Sequence, residues 1–458
     1  MRPINKEILR LAIPSILANI TVPIVGMVDI AVAGHLTGEV ATMIGGIAIG
    51  TMLFDLLYWN FGFLRVGTGG LTAQACGRRD DKECAKILTR ALGISLAFAL
   101  VLIAIQWIFV KAAFMVVDCT PEVRELASRY FYIRIWAAPA TLSLMAFKGW
   151  FIGMQDSVSP MVTDFVVNGM NVLMSIVLAL GIPALGSSGQ SWLLPPLGFT
   201  GIALGTVVAQ YSGLLIAAIL LLVKYFRRVF ADFCLSELKG IFAGEETRRF
   251  FVMNTDLFVR SLCFIAIYIG FTTISAGYGD LLLAVSSIMM KLLMIFSYFT
   301  DGFAYAGEAL TGKYIGAGDR PMLRQSIWGT FVWSMAIALI FMGIYHFAGV
   351  PMLRMMTSDV AVVEQSKEYL SWLLLMPVIG CAAFTWDGIY IGATASKEIR
   401  NAMLWAVVAF GTVWAAGALI IGGSNKVLAM HILMAAYFAH LLARTIYLSI
   451  RYPRIFLR

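Results

Sequence analysis

Few acids interrupt the apolar runs of this chain, and the place of each one limits what it can do. Asp29 stands inside VPIVGMVDIAVAGHL, six residues before His35. A carboxylate at the centre of a membrane-spanning helix costs roughly 2.5–3.5 kcal/mol on insertion scales, so it asks for a partner, for water or for a role. In an apolar setting such a group can bind a proton, and with neighbouring oxygens it can hold a small cation. Pro14 and Pro23 lie upstream in the same run, where proline removes backbone hydrogen bonds and bends the helix. The simpler alternative for Asp29 is an acid near the outer end of its helix that meets water.

The run SPMVTDFVVNGMNVLMSIVLAL carries Asp164, Asn168, Asn171 and Ser175 at steps of 4, 3 and 4 residues. At ~3.6 residues per turn all four fall on one narrow face. Such a face either lines an aqueous pocket or hydrogen-bonds to neighbouring helices. Asp164, four residues after Pro160, also reads as an acid favoured by a helix N-terminus. Thr206, in GFTGIALGTVVAQ, adds a hydroxyl to a further apolar run.

In the second half, NTDLFVRS holds Asn254, Asp256 and Arg260, and the i,i+4 spacing of Asp256 and Arg260 suits an ion pair along one helix. Glu308 and Asp387 sit in long apolar surroundings, with Lys291 and Asp301 as candidate counter-charges, and Arg65 is expected to face protein or water. Together Asn254, Asp256, Arg260, Glu308 and Asp387 are a candidate polar network, with Asp387 the one expected to touch substrate or ion. The six cysteines show no CxxC spacing and the four histidines lie apart, so neither a zinc site nor a disulfide framework is expected.

The elements that must hold these groups follow from composition. The 458 residues are 60% hydrophobic and 13% charged, with a mean hydropathy of +0.85. Soluble domains run near ~45–50% apolar and ~25% charged, which excludes a soluble enzyme. A span needs roughly 20 apolar residues, and runs of that kind are placed near 8–35, 43–75, 88–116, 124–152, 160–182, 199–224, 249–276, 281–312, 327–348, 368–393, 401–422 and 427–450. The first is too long for a signal-peptide core and lacks an A-x-A site, so it is expected to be retained. Twelve spans make an all-α integral membrane protein with both ends on one side. Placing the termini and the connections at 76–90, 224–249, 313–324 and 397–400 in the cytoplasm gives that side about 22 Lys and Arg, against about six on the opposite face. The net charge of +8 is juxtamembrane in this reading, and nucleic acid is not an expected partner.

YFRRVFADFCLSELKGIFAGEETRR (225–249) is the long polar connection near the middle. It predicts an N-lobe at 1–224, a cytoplasmic linker at 225–248 and a C-lobe at 249–458. The halves resemble each other at an offset of about 239–240 residues. FGFLRVGTGGLTAQACGRRD (61–80) is similar to DGFAYAGEALTGKYIGAGDR (301–320), and Gly149, Ile152, Gly153 and Ser157 match Gly388, Ile391, Gly392 and Ser396. Two repeats of six spans share one orientation, so their pseudo-two-fold axis is expected along the membrane normal, with a substrate path between the lobes.

Over essentially its whole length the chain resembles the multidrug and toxic compound extrusion (MATE) transporters, and within them the bacterial DinF-type branch. The segments that carry the resemblance are 8–36, 61–77, 254–261, 301–318 and, most diagnostic, DGIYIGATASKEIRNAML at 387–404. The resemblance implies twelve helices in two six-helix lobes in the bacterial inner membrane, and export of organic, often cationic, compounds against an inward flow of protons or sodium ions. It makes Asp29 the first-helix aspartate, Pro14 its bending proline, Asn171 and Thr206 its partners, and Ser175 a departure from the family's Asp or Asn. A proton needs only Asp29 and is the expected coupling ion. Sodium is the alternative, with oxygens from Asp29, Asn171, Ser175 and Thr206. No cofactor is expected, the partners being small organic substrates and the bilayer, and the chain a monomer.

A lipid-linked precursor flippase would show more intramembrane cations for its phosphates. An integral-membrane enzyme using Asp29, Glu308 and Asp387 as acid and base lacks a nucleophile pair or metal spacing. A passive channel would carry rings of charge in place of single acids.

Overall fold

In a bilayer each backbone N–H and C=O must be satisfied within its own segment, so apolar runs of this length become helices. The computed structural model describes residues 3–34, 36, 40–115, 117, 119–183, 192–230, 244–357, 359–421 and 425–456. The chain begins with α1 (Pro3–Gly34). Next come α2 (Val40–Trp59) and α3 (Phe63–Gly77), joined through a 3-10 turn at Asn60–Gly62 into one span, and then α4 (Asp81–Ala113). A second such turn at Ile135–Ala137 joins α5 (Pro121–Arg134) to α6 (Ala138–Gly153), and α7 (Val158–Leu180), α8 (Phe199–Lys224) and a short α9 (Phe226–Val229) follow. The second half contains α10 (Glu245–Ala276), α11 (Asp280–Ala317), α12 (Arg320–Met356), a short α13 (Val360–Lys367), α14 (Leu370–Gly392), α15 (Ser396–Ile421) and α16 (Lys426–Phe456). Among the described residues eleven stretches are long and apolar enough to cross a membrane, and α1, of 32 residues, adds a further long helix.

Several helices outrun their apolar stretches. α4 starts at Asp81, where an apolar run was expected from 88, and α12 covers Arg320–Met356, where 327–348 was expected. Hydropathy marks the part buried in hydrocarbon, whereas the helix continues into the polar zone until a cap ends it. A small hairpin that the sequence reading did not anticipate, β1 (Ile182–Pro183) with β2 (Trp192–Leu194), joins α7 to α8. Residues 231–243 of the expected linker, and His35, lie outside the described residues.

Packing divides the chain into two compact units. One is Leu17–Ala75 with Arg79–Thr247, and the other is Met1–Ile16 and Cys76–Arg78 with Arg248–Arg458. In the first, α7 packs on α8, α2 on α5 and α4 on α6. In the second, α14 packs on α11 and α12, and α15 on α16. The start of α1 belongs to this second unit: Glu7 accepts hydrogen bonds from Lys313 (2.9 Å) and Tyr314 (2.9 Å).

Each unit repeats the other's local devices at an offset of 239. Asp80 caps α4 by accepting from Glu83 N at 3.0 Å, and Asp319 caps α12 by accepting from Met322 N at 3.0 Å. Thr120 accepts from Val123 N, and Asp359 from Val362 N, each at 3.4 Å. The left-handed residues Gln155 (φ 65°) and Thr394 (φ 54°) also correspond, as do Arg79 (φ 57°) and Gly318 (φ 71°). A Cβ on Gly149 would lie 2.1 Å from Arg65 O, and one on Gly388 would lie 2.1 Å from Ala304 O. Gly153 faces Gly69 O as Gly392 faces Glu308 O. Both helix crossings therefore need glycine, because backbone touches backbone there.

Candidate functional site

The glycines at the α7–α8 crossing decide which side chains meet in the N-terminal unit. A Cβ on Gly201 would stand 2.4 Å from Leu178 C, and one on Gly205 would stand 2.6 Å from Ser175 N. This close approach puts Thr206 beside Asn171, whose Nδ2 donates to Thr206 Oγ1 at 2.9 Å. One helical turn on, Ser175 Oγ donates to Asp29 Oδ1 at 3.0 Å. All four residues are buried. Asn171 Oδ1 is buried without a hydrogen-bond partner among the described residues. Pro14 and Pro23 sit within a continuous α1, and the chain passes from one unit to the other two residues beyond Pro14.

The α7 face read from the sequence is present, and each member bonds to a neighbouring helix. Asp164 Oδ2 accepts from Lys148 Nζ on α6 at 2.7 Å, and Asn168 Nδ2 donates to Thr21 Oγ1 on α1. Two further residues of this unit were missed by sequence reasoning, Arg134 and Asp55. Arg134, at the break between α5 and α6, donates to Tyr130 Oη at 3.2 Å and lies 4.8 Å above the Phe54 ring. Its charge acts on both Asp29 and Asp55. Asp55 is exposed. The sequence signal was an acid in the apolar run IAIGTMLFDLLYW and an arginine within a span, each of which demands a partner or water.

In the C-terminal unit the expected Asp256–Arg260 pair does not form. Asp256 instead accepts from Arg400 Nη1 at 2.6 Å and from Ser396 Oγ at 2.8 Å. Arg260 Nη2 donates to Asp387 Oδ2 at 2.7 Å, and Arg444 donates to the same oxygen. The i,i+4 spacing was correct, but a helix pair competes with tertiary partners, and a buried carboxylate gains more from charges that come from two other helices. Lys291, a candidate counter-charge, is exposed; the counter-charges of Asp387 are Arg260 and Arg444. Asn254 is buried and donates to Phe250 O at 2.8 Å, and Glu308 is fully buried. Arg400 was missed because it was assigned to a loop, and Arg444 because one cation in an apolar helix names no partner. Among the described residues no group of three or more His, Cys, Asp or Glu is placed to hold a metal ion.

The two units thus hold their acids differently. Asp29 has a hydroxyl partner and no ion pair within 4 Å among the described residues, so it can gain or lose a proton without stranding a bonded cation. Asp387 is clamped by two guanidinium groups, and protonating it would leave both without a counter-charge.

The family model described as MatE matches residues 14–177 and 257–415. DNA damage-inducible protein F of Escherichia coli (strain K12) is 32% identical over 89% of this chain and 84% of its own length. A probable multidrug resistance protein NorM of Thermotoga maritima is 21% identical over 90% of this chain and 84% of its own. Among solved structures, a multidrug resistance MATE family transporter of the MOP superfamily in an outward-facing conformation superposes with a TM-score of 0.83 at 16% identity, covering 99% of this chain and 96% of that one. At that identity the likeness shows the fold, which is the all-α, two-lobe architecture expected from the sequence.

Proposed function

The chain belongs to the MatE family, and from that premise we propose that it is an antiporter that exports organic, often cationic, compounds across the bacterial inner membrane by alternating access. An inward-moving proton drives it, and both termini lie in the cytoplasm. The observation that carries this reading is Asp29, a buried carboxylate with Ser175 as its hydrogen-bond donor and no bonded cation among the described residues. Protonation removes an intramembrane charge and lets α1 repack about Pro14. Each proton that enters adds roughly 2.3 kcal/mol per 100 mV of membrane potential. The name of the Thermotoga maritima relative, a probable multidrug resistance protein, supports a transporter over a membrane enzyme.

One observation favours sodium as the second reading. Asn171 Oδ1 is a buried acceptor without a hydrogen-bond partner among the described residues, and sodium needs several oxygens around it. The test is efflux of a fluorescent organic cation from proteoliposomes under an imposed pH gradient without sodium, then under a sodium gradient at equal pH. Export in the first condition, lost in Asp29→Asn at normal expression, is the expected result. Export only under the sodium gradient would replace the proton by sodium. Export in neither would remove the antiporter reading.

A further inference from the structure

Three charged side chains of the second unit meet inside its spans, and their charges do not cancel. Asp387 of α14 carries one negative charge, whereas Arg260 of α10 and Arg444 of α16 carry one positive charge each and both donate to its Oδ2. Arg260 stands near the middle of the 32-residue α10, and Arg444 just past the middle of the 31-residue α16. Among the described residues the ion pairs of both guanidinium groups are with Asp387 alone. The other acid of α10 within the apolar run, Asp256, is held by Arg400 and Ser396. A surplus positive charge at that depth is costly, and an anion at the cluster relieves it.

Donors for such an anion are present. Arg444 is fully buried, and its Nε and Nη1 have no hydrogen-bond partner among the described residues, nor has Arg260 Nε. Asp387 Oδ1 is the one unpartnered acceptor of these three side chains, so the orphaned donor nitrogens outnumber it three to one. Arg260 is the open member of the cluster. It shares a stripe of α10 with Met253, Leu257, Cys263 and Ile267, none more than 9% exposed, yet its own side chain is 22% exposed. The exposed apolar residues Phe258, Leu262 and Ile269 form a different stripe, so Arg260 opens toward the interior side of the helix and not toward lipid. Phe384, three residues before Asp387, is half-buried, and its ring centre lies 5.9 Å from the Arg444 guanidinium.

We infer that Arg260 and Arg444 bind the carboxylate of an exported organic compound, with the Phe384 ring against its apolar body. A planar guanidinium matches the two oxygens of a carboxylate, and charge-assisted hydrogen bonds of this kind are about twice as strong as neutral ones. Asp387 is then a positioning residue. It gathers two guanidinium groups at one oxygen and cancels one of their two charges, which leaves the other for the ligand. The sequence expectation that Asp387 itself touches substrate gives way to contact through its arginines. The inference rests on the antiporter reading and adds to its cations the compounds that carry a carboxylate, zwitterions among them.

The test uses two dyes that differ by one methyl group: rhodamine 110, with a free carboxylate, and rhodamine 123, its methyl ester. Their binding is measured on the purified full chain in nanodiscs at pH 8. Arg260→Gln should weaken rhodamine 110 by about tenfold or more, the worth of a hydrogen bond to a charged group, and leave rhodamine 123 near its wild-type affinity. Arg260→Lys, which keeps the charge, should recover most of that loss. On the wild-type chain benzoate should displace rhodamine 110 far better than benzamide, its neutral counterpart, and this comparison decides if Arg260→Gln does not fold. Equal displacement by the two competitors, equal loss of both dyes in Arg260→Gln, or no binding of rhodamine 110 would overturn the carboxylate site and leave the exporter reading in place. A wild-type chain that binds rhodamine 110 with the expected preference but exports neither dye from proteoliposomes under either ion gradient would overturn the antiporter reading instead.

Discussion

Asp387 and Asp156 show what a carboxylate's partners do to the consequences of losing it. Removing the charge of Asp387 leaves Arg444, which is fully buried, and Arg260 facing each other without a counter-ion. Breaking a buried pair in this way costs about 3–5 kcal/mol. Asp387→Asn is therefore expected to lower the melting temperature sharply, and Arg444→Met in the same chain to restore part of the loss, as a thermal double-mutant cycle would read. Additive losses would remove the clamp from the account. Asp156 lies on the turn before α7, outside the spans. Burial opposes its ionisation, but the Ser159 hydroxyl at 2.6 Å, the Ser159 amide at 3.0 Å and Lys224 at 3.0 Å outweigh it and hold the carboxyl below its ordinary value. A depressed carboxylate stabilises the fold above its unfolded value of ~3.9 and loses that contribution as pH falls through the folded value. Melting temperature measured from pH 6 to pH 3 should fall on that limb in wild type and fall less in Asp156→Asn.

The crossings between helices rest on glycine, and the repeat makes the expectation double. Gly149→Ala and Gly388→Ala each drive a methyl to 2.1 Å from a carbonyl oxygen, a distance that no side-chain adjustment relieves. Both should reduce the yield of folded protein severely and alike. Gly169→Ala and Gly411→Ala, where nothing stands within 4 Å, should be neutral or stabilising by up to about 1 kcal/mol. Detergent-resistant yield and melting temperature of the four variants read this directly, and tolerance at Gly149 or Gly388 would contradict the packing described. The glycine spacing was visible in the sequence as a repeated G-x-x-x-G, as were the spans, because periodicity and hydropathy are local properties; the grouping of Asp29 with Asn171 and Thr206 came instead from the family resemblance. The pairing of Asp256 with Arg400 and of Asp387 with Arg444 joins residues 144 and 57 positions apart. Spacing along one helix carries no information about such partners, and that is why the i,i+4 reading of Asp256 and Arg260 failed.

At the scale of the whole molecule, the proposed antiport needs a defined orientation, because an inverted chain would turn an exporter into an importer. Lys and Arg near the ends of spans, counted as such and not as net charge, set that orientation. The ends assigned to the cytoplasm carry about 22 of these residues against about six on the other face. Acids do stand close to some of them: Lys313 bonds Glu7 at 2.9 Å, Arg228 bonds Asp81 at 3.1 Å and Arg451 approaches Glu398 at 3.4 Å. Partly exposed pairs of this kind are worth at most about 1 kcal/mol once folded, and they form after insertion, so they leave the bias intact. A green fluorescent protein fused after Arg458 should accordingly fluoresce in intact cells, and alkaline phosphatase fused after Cys119, in the turn between α4 and α5, should be active. Phosphatase activity at the C-terminal fusion together with none at Cys119 would place both termini outside and reverse the direction in which Asp29 takes its proton.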